Sequence, residues 1–149
     1  MSRGFTMVEL MVTVAVVAIL SAVAMPSFTS LIASQRTKSI AADLYAALIR
    51  TRSEAIKRDT EVVLTPLVAG QWQSGWQIAN PGLAGASLDV HGAVSNAIVT
   101  GPDHVTYHAN GRLSGGLAAS FDISSPGVDT HRCVQVDLSG RPYQKATGC

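Results

Sequence analysis

Between Leu10 and Gln35 the sequence contains no Asp, Glu, Lys or Arg. Charge is sparse elsewhere too, at 14% of 149 residues, with a formal net charge of +1. That balance removes any whole-molecule electrostatic case for a nucleic-acid partner. There are only two cysteines, Cys133 and Cys149, so no cysteine cluster exists to hold a metal. A phosphate-cradling Gly-rich loop and a nucleophile elbow are also missing. His104 and His108 have the spacing of a helical ligand pair, but Pro102, Tyr107 and Asn110-Gly111 argue against a helix there. On a strand the two would lie about 13 Å apart, too far to share one ion. His91 and His131 have no partner legible in the sequence. No catalysis, metal or cofactor is expected.

The two cysteines lie close to the C-terminus, and Cys149 is the last residue. A bridge between them would tie down an end that otherwise frays. Closing a loop of this size contributes about 3 kcal/mol in the chain-entropy model. It also requires an oxidising compartment.

The uncharged run follows a short basic leader and one carboxylate, Glu9. Three readings compete for the segment. A secretory signal peptide would be removed after a small-residue site, and Ala22-Val23-Ala24 offers one. A plain transmembrane anchor would simply span, since about twenty residues at 1.5 Å each cross a bilayer core. The third reading cuts the chain before the apolar run. Glu9 separates them, because a carboxylate in an apolar helix costs roughly 2.5–3.5 kcal/mol on insertion scales. Neither a signal core nor a plain anchor has a use for it. Cleavage between Gly4 and Phe5 would create an α-amino group four residues before Glu9. Glu9 of one subunit could then pair with the Phe5 amine of a neighbour, and paired burial is tolerable where isolated burial is not.

Arg3, Gly4-Phe5, Glu9 at the fifth position after the cut, and the apolar run together resemble the prepilin signal of type IV pilins and type II secretion pseudopilins. The resemblance implies cleavage by a prepilin peptidase, N-methylation of Phe5, single-pass residence in the inner membrane, and assembly with other pilin subunits through Glu9 into a periplasmic or extracellular filament. The sequence departs from the usual pattern at Ala18, where many members carry Gly. The implied organisation is a leader at 1–4, an apolar membrane and filament-core helix at 5–28, and a globular domain at 29–149. Pro26 should kink the helix or remove one of its hydrogen bonds.

From Ser27 to about Arg58 the pattern becomes amphipathic, with Ile40, Leu44, Leu48 and Ala55 near one face and Tyr45, Ile49 and Ile56 beside it. After Thr60 the chain reads as β structure. Strands are expected over Glu61–Val68, Gly75–Ala79, Ala97–Thr100, Val105–His108, Ala118–Ile123 and Cys133–Leu138. Asn110-Gly111 and Ser139-Gly140 are hairpin-type turn signals. Pro81–Gly92, rich in Gly and Ala, is expected to be a loop. The fold class is α+β: a long N-terminal helix packed on an antiparallel sheet, the pilin fold.

Arg52-Ser53-Glu54-Ala55-Ile56-Lys57-Arg58, Gly75-Trp76, Asn110-Gly111-Arg112 and Ser139-Gly140-Arg141, in that order, resemble the GspH/FimT group of minor pilins and pseudopilins. The near-terminal cysteine pair is similar to the pilus branch of that group. The resemblance implies a minor subunit near the filament tip or in the initiation complex. Some members of the FimT branch bind DNA through a Gly-Arg-x-Arg motif. Here the matching stretch is Gly140-Arg141-Pro142-Tyr143, with Tyr143 at the second arginine and Lys145 as the nearest cation. Arg112 and Arg132 complete the candidate DNA-binding set, in which Tyr143 could stack on an unpaired base.

Overall fold

The computed structural model describes residues 5–149, apart from the side chains of residues 23–27. One helix, α1, runs over Met7–Arg58. It starts where Thr6 leaves the helical conformation and its side chain accepts the Glu9 N–H. It stops at Asp59, a left-handed residue whose own N–H bonds back to the last turn. Lys57 and Arg58 in that turn suit the negative end of the helix dipole. At 1.5 Å per residue α1 is about 78 Å long. The helix continues past Pro26; the side-chain consequences expected there lie outside the described residues.

From Ala33 onward α1 buries one stripe, made of Ala33, Thr37, Ile40, Ala41, Leu44, Ala47, Leu48, Thr51 and Ala55. These positions recur every three or four residues, so they share one face. The two threonines sit within that face because each hydroxyl donates to a helix carbonyl one turn back, Thr37 to Ser34 and Thr51 to Ala47. Ile49 and Ile56 flank the stripe and remain exposed.

Eight strands follow: β1 Val62–Val68, β2 Gln71–Ala79, β3 Ser87–His91, β4 Ile98–Thr100, β5 Val105–Tyr107, β6 Ala119–Ser125, β7 Val128–Val136 and β8 Pro142–Lys145. They form two antiparallel four-stranded sheets rather than one, ordered β3-β2-β1-β5 and β4-β6-β7-β8. Both pack on α1 in an α+β pilin fold. Trp72 joins the sheets: its ring meets Phe121 edge-on at 4.8 Å, and its indole N–H donates to the Pro102 carbonyl at 2.7 Å. Trp72, Trp76, Tyr107 and Phe121 are all fully buried, and these four large rings anchor the core.

Two sequence expectations are corrected here. Residues 81–92 are not all loop, because β3 pairs with β2 there. Its hydrophobic alternation is inverted: Asp89 and His91 lie on the α1 side with Trp76 and Ile78, while Val90 faces outward beside Gln77. The strand near Cys133 begins at Val128 and ends before Leu138, which is 45% exposed beyond the sheet. β8 carries no sequence signal; the Ser139-Gly140 turn folds it back on β7, and the bridge from Cys133 to the final residue, Cys149, closes the tail behind it.

Candidate functional site

The N-terminal site is built by the helix start. Phe5 lies just outside α1 and is 78% exposed. Thr6 is the N-cap and Glu9 the third helical residue, the spacing of a capping box. A carboxylate in a first turn also meets the positive end of the helix dipole. Glu9 is exposed, and so are its apolar neighbours Met7, Val8, Leu10 and Met11. Arg3 and Gly4, hence the expected cleavage point, lie outside the described residues. Among the described residues no helix is long and apolar enough to cross a membrane.

A second constellation forms at the far end of α1. The chain makes the same turn twice. In the first, His108 N–H donates to the Arg112 carbonyl and Gly111 N–H to that of His108. In the second, Asp137 and Gly140 repeat both bonds with Arg141 and Asp137. Each turn needs a left-handed residue at its glycine, φ +74° at Gly111 and +80° at Gly140. The turns touch so closely that a Cβ on Gly140 would collide with the Gly111 carbonyl oxygen. Arg52 of α1 clamps them, donating from Nε to the Gly111 carbonyl at 3.0 Å and from Nη2 to that of Ser139 at 3.4 Å. Asp137 accepts from the Ser139 hydroxyl and the Arg141 N–H, and these bonds hold its carboxyl below the usual range. Beneath lies Tyr107, whose hydroxyl is buried without a hydrogen-bond partner and is pushed up by that burial. Arg52 and Tyr107 were not singled out from the sequence. The signal for Arg52 was its place at the head of the first of the ordered motifs.

The candidate DNA-binding residues divide into three places. Arg112 and Arg141 each follow a turn glycine, so the clamp brings them to one end of the molecule. Tyr143 and Lys145 share the outer face of the second sheet with Gln135 and Cys133. There the Tyr143 hydroxyl donates to Gln135 at 2.7 Å, and the Lys145 ammonium lies 5.6 Å from the Tyr143 ring centre. Arg132 points the other way, sharing its face of β7 with the buried Val134 and Val136, with its Nε buried. The alternation of β7 separates it from the other cations.

Three histidines have carboxylate partners that the sequence did not reveal. His108 lies 2.6 Å from Glu61, His131 2.9 Å from Asp122 and His91 3.6 Å from Asp43. His91 also stacks flat on Trp76 at 4.1 Å. His104 lies outside β5 and shares no partner with His108. Among the described residues no three His, Cys, Asp or Glu side chains converge as a metal site would require. Cys133 and Cys149 form a disulfide with Cα atoms 5.1 Å apart, and the Cys149 N–H donates to Asp122 at 3.1 Å.

Residues 41–140 match the family model for type II transport protein GspH, and residues 1–25 match the prokaryotic N-terminal methylation motif. The chain belongs to the GspH family of pilin-like proteins. The first match contains the helix stripe from Ala41 onward, both sheets' central strands and the first clamped turn, and it ends at Gly140 of the second. Among solved structures, the type IV minor pilin FimU of Pseudomonas aeruginosa resembles this GspH-family chain in two crystal forms. One has a TM-score of 0.64 at 25% identity, covering 72% of this chain and 91% of that one. The other has a TM-score of 0.67 at 24% identity, covering 74% and 89%. No curated protein matches the sequence.

Proposed function

We propose that the chain is a minor pilin of a type IV pilus. In this reading a prepilin peptidase cuts it between Gly4 and Phe5, Phe5 is N-methylated, and the subunit waits in the inner membrane before it joins other pilin subunits near the filament tip or in the initiation complex. The observation that carries the reading is the first half of α1. From Met7 to Leu20 its large apolar side chains stand exposed, with Glu9 beside them and no cover among the described residues. Such a surface requires a membrane or neighbouring subunits. Similarity to a type IV minor pilin, rather than the family's type II transport name, favours the pilus over the secretion machine. Glu9→Leu should reduce recovery in sheared pili at least tenfold, while Cys133–Cys149 still forms in the membrane-held protein. Normal recovery of that variant overturns the reading.

A second reading, a DNA receptor on the same filament, is favoured by one observation: the clamp sets the Arg112 and Arg141 turns against each other. Two cations are few for a phosphate track. A salt-sensitive DNA shift that weakens in the Arg112→Ala, Arg141→Ala double variant supports it, and no shift, or an unchanged one, removes it.

A further inference from the structure

β3 differs from every other strand in how it is held. Each of the others buries at least one side chain, and β3 buries none. It is an edge strand, paired only with β2. Leu88 reaches the margin of the core and is only partly buried. What faces α1 is polar: Asp89 pairs with Arg50 at 3.0 Å, and His91 Nε2 lies 3.6 Å from Asp43. Asp43 and Arg50 are seven residues apart, on one side of the helix, and Asp89 and His91 are alternate residues on one side of the strand. One ion pair and one histidine–carboxylate contact therefore pin the strand to the helix like a zipper.

We propose that β3 and the turn before it, residues 80–91, form a strap that opens as a unit while the rest of the domain stays folded. Its attachment to α1 is electrostatic and half exposed, with the Arg50 and Asp89 side chains at 54 and 43%. Pairs of this kind are weak and screened by salt. The strap turn itself is tied only to its own ends, through Asn80 N–H to the Ala86 carbonyl and Ala86 N–H to that of Leu83. Opening lifts His91 from Trp76 and bares the outer edge of β2, a row of unpaired N–H and C=O groups that an extended strand could join. The second sheet has no such element, since β4 and β8, its edges, insert Val99 and Pro142 into buried positions.

Hydrogen exchange on the full chain in detergent tests this. Amides of β3, and those of Trp76 and Ile78 that face it, should exchange faster than those of β6 and β7, and two- to fivefold faster again at 0.5 M salt or in Arg50→Ala. The charge swap Arg50→Asp with Asp89→Arg should restore the protection. Unchanged β6–β7 protection shows that the variants remain folded. The proposal is overturned if β3 exchanges only with β6–β7, if neither salt nor Arg50→Ala changes it, or if the swap fails to restore it.

Discussion

Along α1, Val12 and Val16 are as apolar as Leu44 and Leu48, yet the first pair stands 57 and 49% exposed while the second is fully buried. Both pairs repeat at four-residue spacing on one continuous helix. The difference lies in what surrounds them. The second half of α1 has two sheets to cover one stripe, and its other faces carry Lys38, Asp43 and Arg50. The first half is apolar on every side and finds no cover among the described residues. Helix formation is therefore shared, but the surroundings of each half are not: one is the spine of a domain, and the other stands exposed as an apolar surface.

The comparison breaks most visibly when the core is removed. Trp72→Ala deletes the ring that meets Phe121 and ties the two sheets together, and should cost about 3–5 kcal/mol. Strand protection should collapse on thermal or urea unfolding of the full chain in detergent. The first half of α1, which rests on none of these contacts, should keep its helical amides. Loss of both together would mean that the halves are one cooperative unit.

The first half was the more legible from sequence, because its signal is compositional: a long uncharged run preceded by a single carboxylate. The amphipathic half was legible through Ile40, Leu44, Leu48 and Ala55, whose spacing gives the buried face directly. The sheets were less so. β3 escaped because its inward positions are Asp89 and His91, the reverse of the usual alternation, and β8 because its exposed residues follow no period. The division into two sheets depends on long-range pairing that no local pattern encodes. The turn glycines were visible, but that they meet under Arg52 was not, since Gly111 and Ser139 are distant in sequence from the helix that joins them.

That clamp sharpens the comparison at the boundary of the domain. Arg52→Ala leaves two turn carbonyls without their charged donor and should destabilise the domain by about 1–2 kcal/mol, given the half-exposed site. Arg52→Lys should not rescue it, because one ammonium cannot reproduce a planar fork aimed at two carbonyls. Urea midpoints of the three proteins measure this. Equal midpoints would show that the turns hold each other without the helix.

The smallest effect is the most local. Asp137 accepts bonds within its own turn, from the Ser139 hydroxyl and the Arg141 N–H, and its carboxyl is held below the usual range chiefly by the Ser139 bond. A depressed carboxyl contributes stability above its unfolded pKa of about 3.9 and loses it as pH falls through the lower, folded value. Amide shifts of Ser139, Gly140 and Arg141 should therefore hold steady from neutral pH down to about 4 and move only below it. Asp137→Asn should show no such transition. Amides of α1 from Val12 to Leu20, which have no part in this turn, should not respond in that window. A transition that spreads to β6 and β7 would mean that the turn governs the sheet rather than merely finishing it.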